Sequence, residues 1–473
     1  MEINSVGIDI GTSTTQLVFS RLYAENTASY FSVPRVAITR KEVVYKSGIH
    51  TTPLLDSSLI DGEAIRLLVA EEYRKAGYTP ADLQTGAVII TGESARKENA
   101  QLVLESLSGF AGEFVVATAG PDMEAIIAGQ GSGAQQYSQD HGCTVVNLDI
   151  GGGTTNLAAF RDGQTIAKGC LDIGGRLVRL DEAGRVTSIS PAAALAAGEA
   201  GVTLRPGESP APGALAAVAD VMVSVLAQQL GLIPKSHLLL RFQTPGSSCF
   251  PTDLAPRVLF FSGGVADCIH TPGLDELAYG DMGVILGRAI ARSRLMTDFT
   301  VAPAEETIRA TVVGAGSYTT TISGSTIYHT PGIFPQKNVP VLRLTPQEEA
   351  LCYSESRTLE GKLRWFLEQC DTPLAALSLA GSPDPDYPQL VQLAGNLAAA
   401  LEAAIPAGYP LLVVLDCDMA KALGQLMGRR LTPGRRLAVV DGVPLHPGEY
   451  IDFGVPILDG MAIPVVVKTL IFG

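Results

Sequence analysis

The residues DIGTSTTQLVF (9–19) and DIGGGTTNLAA (149–159) align without a gap, sharing Asp, Ile, Gly, Thr, Thr and Leu in register. Their aspartates lie 140 positions apart. That spacing is too long for a solenoid repeat and suits two related domains in one chain. Each copy follows an apolar run, SVGIDI (5–10) or TVVNLDI (144–150), and leads into a second one, so each reads as strand, glycine-rich turn, returning strand. Glycine there permits positive φ and lets a ligand approach the backbone closely. A row of N–H groups in such a turn forms a concave anion site, and threonine and serine hydroxyls add donors. One such hairpin is explained equally well by its turn alone. A repeated aspartate is not, because turn formation does not require it. Two aspartate-tipped hairpins facing each other can clamp a magnesium nucleotide between two domains. The predicted phosphate-binding residues are Gly11, Thr12, Ser13, Thr14, Thr15 and Gly151, Gly152, Gly153, Thr154, Thr155, with Asp9 and Asp149 holding Mg²⁺ through water.

The chain between the copies predicts alternating helices and strands, an α/β layer arrangement. Asp61 can cap a helix that carries Ile65, Leu68, Val69 and Tyr73 on one face and ends at Gly77. Strands follow at 86–91 and 113–119, with helices at 95–107 and 121–129.

At 473 residues the chain is long enough for two or three domains. With 46% apolar and 17% charged residues it has material for sizeable cores. A net charge of −14 repels a polyphosphate backbone and argues against nucleic-acid binding. No apolar run reaches the ~18 residues a membrane span needs. The best candidate, 213–234, is interrupted by Asp220 and predicts a buried helix. The N-terminus lacks the basic stretch of a secretory signal. Seven scattered cysteines without a CxxC fit a reducing, cytoplasmic setting, and six histidines show no metal-ligand spacing.

These residues resemble the actin-like ATPases, a superfamily with two ribonuclease H-like domains around a nucleotide cleft. VGIDIGTSTTQLVF and VVNLDIGGGTTNLAAF are similar to its two phosphate motifs, and LFFSGGVAD (259–267) to its adenosine motif. The resemblance adds Gly263 and Gly264 to the nucleotide site, and Gly174 and Gly175 of DIGG (172–175) as the glycine pair after the second hairpin. It aligns PDMEAIIAGQG (121–131) with the first connecting helix and 280–295 with the second. Asp122 then stands at the water-orienting position, with Glu124 beside it. Met123 replaces the proline common after that acid, and both carboxylates also suit an ordinary first helical turn.

After the Pro/Gly-marked stretch 328–340 the chain predicts a further α/β unit, with strands at 374–381, 410–416, 436–442 and 463–472 and a helix at 387–406. Asp416 and Asp418 fall at a strand's carboxyl end, a ligand position in open sheets, but suit a helix cap plus a first-turn acid better. The expected division is 1–143, 144–330 and 331–473. Over its whole length, including 310–327, LDCDMAKALG and the closing PVVVKTLIFG, the chain resembles the ethanolamine ammonia-lyase reactivating factors. That resemblance implies an ATP-dependent, chaperone-like reactivase of ethanolamine utilisation, using ATP and Mg²⁺. Its partner would be ethanolamine ammonia-lyase, from which it releases damaged cobalamin so that intact adenosylcobalamin can enter. No cobalamin-binding DxHxxG is present. The alternatives are a small-molecule kinase of the same superfamily and a nucleotide-binding scaffold or filament protein. A homodimer and association with a microcompartment both stay open.

Overall fold

The computed structural model describes the chain except residues 1, 12–13, 27–35, 57–58, 92–93, 95–96, 108–109, 111–115, 119–120, 319–320, 323–326, 371, 383–384, 457–462 and 470–473. Three large sheets organise it. The first contains β1 (Glu2–Ile10), β2 (Thr14–Asn26), β3 (Val36–Lys46), β4 (His50–Thr51), β5 (Thr85–Ile90) and β6 (Val116–Thr118), in the order β3-β2-β1-β5-β6 with β4 on β2. The second contains β7 (Val145–Ile150), β8 (Thr155–Arg161), β9 (Gln164–Leu171), β12 (Val258–Ser262) and β13 (Thr300–Val301); β10 (Val178–Leu180) and β11 (Val186–Ile189) form a separate hairpin. Read from β9, its order is β9-β8-β7-β12-β13.

The two sheets share one plan. A leading hairpin pairs antiparallel, its second strand adds a third antiparallel one, and its first strand accepts a parallel strand on the other side. The duplicated sequence therefore corresponds to a duplicated sheet in an α/β molecule, the two-domain arrangement that the actin-like resemblance implies. β5 and β7 are buried along their whole length, which is why TGAVII and VVNLDI read as near-continuous apolar runs. The Asp61 cap is realised: its Oδ1 accepts the Ala64 N–H at 3.0 Å, and Gly77 closes the helix Gly62–Ala76 at φ 75°.

The third sheet contains β14 (Thr321–Ile322), β15 (Tyr328–His329), β16 (Gln336–Arg343), β17 (Ala376–Leu379), β18 (Leu411–Leu415), β19 (Leu437–Val440), β20 (Glu449–Phe453) and β21 (Pro464–Thr469). β16 to β19 run parallel and adjacent in chain order. Helices between them bury Leu363, Leu393, Leu397 and Leu423 against Leu377, Val413 and Leu415 on one face of the sheet. Asp416 does not cap the helix that follows β18. It receives both terminal nitrogens of Arg343, at 2.8 and 2.6 Å. The helix Ala420–Gly428 starts at Met419, past Asp418, and its first N–H goes to Asp441 Oδ2. A carboxylate further along the chain took the role that local spacing assigned to Asp416.

Two helices cross between the first and second sheets, Pro121–Gly131 and Ala310–Tyr318. They meet backbone to backbone. A Cβ on Gly131 would lie 1.8 Å from the Ala310 carbonyl oxygen, and one on Gly314 would lie 2.0 Å from that of Ile127. Ala310–Tyr318 packs Ala315 with Ala87 and Ile89 of the first sheet, and Pro121–Gly131 packs Ala125 with Val145 and Phe160 of the second. The second connecting helix is therefore Ala310–Tyr318. The expected one, 280–295, holds the helix Gly283–Ala291, whose Ile285, Leu286, Ala289 and Ile290 are interior to the second lobe. Its apolar sequence reflects that burial. Among the described residues no helix is long and apolar enough to cross a membrane. In the helix Ala214–Gln229, Asp220 is the solvent-side residue, paired with Arg292.

Candidate functional site

The two leading hairpins close in the same way. Gly11 N–H donates to the Thr14 carbonyl at 2.9 Å, and Gly151 N–H donates to the Thr154 carbonyl at 2.9 Å. Each turn thus pivots on the residue two after its aspartate, and Thr14 and Thr154 stay half-exposed. Thr15 and Thr155 do not: both are fully buried, with hydroxyls turned to Thr52 Oγ1 and to the Ile173 carbonyl. The first turn is braced from outside by Thr52 and Ser94, whose hydroxyls donate to the Gly11 carbonyl at 2.8 and 3.0 Å. Thr12 and Ser13 lie outside the described residues.

The second turn rests on the DIGG loop. Gly175 N–H donates to the Gly151 carbonyl at 3.0 Å and Arg176 N–H to that of Gly152 at 2.7 Å. Gly174 has to be glycine, because a Cβ would sit 2.4 Å from the Gly152 carbonyl oxygen. Gly175 is buried against Gly283. Gly263 adopts φ 81° with its Cα side 2.4 Å from the Ile150 carbonyl oxygen for any added Cβ, and Gly264 beside it is exposed. The glycines of the adenosine-like motif thus pack directly against the strand that carries Asp149.

Asp9 and Asp149 come from different sheets and lie within each other's field. Asp149 is buried; its Oδ1 accepts from Ser262 Oγ at 2.7 Å, and Thr311 of the crossing helix donates to the same carboxylate. Burial pushes its carboxyl up to about 6, against the lowering effect of those two hydroxyls. Asp9, half-buried, accepts from Thr91 Oγ1 at 3.0 Å. Burial raises it to about 7, Thr91 pulls it back, and the charge on Asp149 raises it further. The two acids repel each other and titrate as a coupled pair. Two desolvated acids side by side hold charge poorly by themselves and well beside a cation.

The segment 305–313 ties this centre to both lobes. Gly263 N–H donates to the Thr307 carbonyl at 3.0 Å, Arg309 Nη2 to that of Ser47 at 3.0 Å, and Lys46 pairs with Glu306. On the helix Pro121–Gly131 Glu124 is half-buried, and the Asp122 side chain is outside the described residues.

A family model described as "Ethanolamine utilisation protein EutA" matches residues 1–473. The chain belongs to the EutA family. It is 36% identical over 490 residues to the ethanolamine ammonia-lyase reactivase EutA of Salmonella typhimurium, covering 100% of this chain and 99% of that one. To the protein of the same name in Escherichia coli it is 35% identical over 477 residues, covering 100% and 99%. Among solved structures it is similar to a PPX-GPPA enzyme of Aquifex aeolicus at 13% identity and a TM-score of 0.39, covering 66% of this chain and 99% of that one.

In this EutA family member the hairpins carry two residues that the motif reading passed over. Gln16 stands directly opposite Asp9 on β2, and Asn156 directly opposite Asp149 on β8. Both are 2% exposed, and among the described residues the side-chain carbonyl oxygen of each has no hydrogen-bond partner. A buried acceptor left without a donor costs about 1–3 kcal/mol, so a matched pair of them beside two acids needs a reason. The signal is in the repeat itself, where Gln16 and Asn156 occupy the same position as similar but not identical amides. Asn147 adds a third such oxygen one pleat back from Asp149, its amide nitrogen donating to Ser262 at 2.9 Å.

Proposed function

We propose that this chain is an ATP-driven reactivating factor for ethanolamine ammonia-lyase, which loosens the client so that damaged cobalamin leaves and intact adenosylcobalamin binds. The observation that carries this is the full-length match at 36% identity to a relative named as that reactivase. The opposed hairpins supply a physical route. Within 11–15 and 151–155 phosphates would be bound by the turn N–H groups of 12–14 and 152–154 and the hydroxyls of Thr12, Ser13, Thr14 and Thr154. Gly11, Thr15, Gly151 and Thr155 spend their donors within the protein. Gly174, Gly175, Gly263 and Gly264 would let backbone pass close to the rest of the nucleotide. The oxygens of Gln16 and Asn156, unpartnered among the described residues, form with the carboxylates of Asp9 and Asp149 a set of hard oxygen acceptors that fits the water shell of Mg²⁺. When bound, Mg²⁺ supplies charge neutralisation for the phosphates and for the two acids.

Asp122 and Glu124 are the proposed acids for orienting the attacking water from the first crossing helix. Loss of the terminal phosphate would remove the link between hairpins, and the lobes could turn about the crossing helices. A client surface that binds in one nucleotide state only would then open the client's cobalamin site. We assign three units to this cycle, 1–143, 144–330 and 331–473, with the short strands β14 and β15 reaching from the end of the second into the sheet of the third. The full-length relatives favour this reading over a small-molecule kinase or a filament protein.

The test is to inactivate ethanolamine ammonia-lyase with cyanocobalamin, then add this protein, Mg²⁺ and fresh adenosylcobalamin with or without ATP. Deamination is expected to return with ATP alone. Recovery without ATP, or none in either arm, rejects the proposal.

A further inference from the structure

Among the described residues, Asp9 and Asp149 accept from the hydroxyls of Thr91, Ser262 and Thr311 and from no basic side chain. Bound Mg²⁺ offsets only part of a triphosphate's charge, so a fixed cation is wanted nearby. Lys46 and Arg309 are committed to Glu306 and to the Ser47 carbonyl across the lobe contact. Arg176 differs. Its backbone N–H donates to the Gly152 carbonyl of the second hairpin at 2.7 Å. Its side-chain stem covers Gly152, with Cδ 3.3 Å, Cγ 3.4 Å and Cβ 3.5 Å from where a Cβ of that glycine would stand. Its Nε donates to Asp281 Oδ2 at 3.3 Å, and the side chain is 37% exposed. Among the described residues nothing engages its two terminal nitrogens. Asp281 is 6% exposed and fixed in turn by the Gly283 N–H at 2.8 Å.

An arginine gripped at Nε by a buried carboxylate has lost much of its freedom while keeping the outer edge of its fork unspent. That edge suits bidentate bonding to phosphate oxygens. We infer that Arg176 is a phosphate-binding residue of the second hairpin, and that Asp281 is the positioning residue that aims it. This rests on the nucleotide reading above and adds to it the cation that the paired hairpins lack.

The test measures calorimetric binding of ATP and of adenosine to the full-length protein with Mg²⁺, for the unmodified chain and for Arg176→Ala, Arg176→Lys and Asp281→Asn. Arg176→Ala should weaken ATP about ten- to a hundredfold, the worth of a charge-assisted contact, and leave adenosine binding unchanged. Arg176→Lys should recover part of the loss, since it retains charge without the fork. Asp281→Asn should weaken ATP less than Arg176→Ala, again sparing adenosine. If Arg176→Ala binds ATP as the unmodified chain does, or loses ATP and adenosine to the same extent, the assignment is wrong and the residue only braces the loop. If the unmodified chain binds no ATP, the nucleotide reading itself falls and this assignment with it.

Discussion

Asp149→Asn separates the stability of the site from its use. The Asp149 carboxyl stands at about 6 in the folded protein against an ordinary 3.8, chiefly through burial. A carboxyl raised by folding contributes stability that is fully present below the unfolded value and is lost as the pH rises through the folded one. Roughly two units at 1.36 kcal/mol each put that loss at about 3 kcal/mol by pH 8. Asparagine stays neutral, and its Oδ1 can still accept from Ser262 and Thr311. In metal-free buffer at pH 8 the variant should therefore be the more stable protein locally, by up to about 3 kcal/mol. The difference should shrink as the pH falls through 6 and vanish near 4. Intrinsic fluorescence is the wrong probe, because the single tryptophan, Trp365, lies on the helix Arg357–Gln369 against the third sheet. Hydrogen exchange of peptides covering 145–160 reads the right strands, and about 3 kcal/mol corresponds to roughly a hundredfold in protection. Added magnesium ATP should reverse the order by protecting the unmodified chain alone. Equal or lower protection in the metal-free variant at pH 8 would refute the claim that an uncompensated buried charge is held there.

Three further outcomes follow from the same structure. Gly314→Ala should cost about 3 kcal/mol, the upper end for overpacking, since its Cβ would meet the Ile127 carbonyl oxygen at 2.0 Å; Gly198→Ala, with nothing within 4 Å, should instead gain about 0.5–1 kcal/mol, and melting temperatures decide both. Asp416→Ala should strip Arg343 of its bidentate partner and cost about 2–3 kcal/mol, less than for a fully buried pair because both side chains keep some solvent contact; Trp365 fluorescence in urea should shift while ATP turnover does not. Of Asp122→Asn and Glu124→Gln, one should lower ATP turnover about a hundredfold with ATP affinity unchanged, and normal turnover in both would remove the helix from the chemistry.

The hairpins were legible because glycine, threonine and an acid recurred in register, and local turn chemistry was enough to place them. Three of the four parallel strands of the third sheet, β17, β18 and β19, were legible for a different reason: strands covered on both faces read as short apolar runs, whereas β16 lies across the Pro/Gly-marked stretch that reads as a boundary. What stayed hidden depends on residues distant in sequence. Nothing local distinguishes Asp416 as the partner of Arg343 from Asp416 as a helix cap, and Asp441 is the acid that serves the helix start. The segment 280–295 was matched to the second connecting helix by resemblance, whereas the true crossing helix, Ala310–Tyr318, is marked by small residues whose purpose shows only against Ile127. Gln16 and Asn156 sat in plain view, one step past the shared threonines, but no motif asks for an amide there.

The glycine contact between the crossing helices also determines how the molecule can move. Main chain touches main chain at Gly131 and Gly314, and Ile127 packs against Ala315 beside that contact, so among the described side chains Ile127 is the one that must adjust most as one helix rolls over the other. Resistance to opening is thereby shifted to the polar strap at 305–313 and to whatever joins the two aspartates. A joint of this kind works as a bearing: it fixes the axis, sets almost no stopping point of its own, and leaves the angle to be chosen by what is held in the jaws.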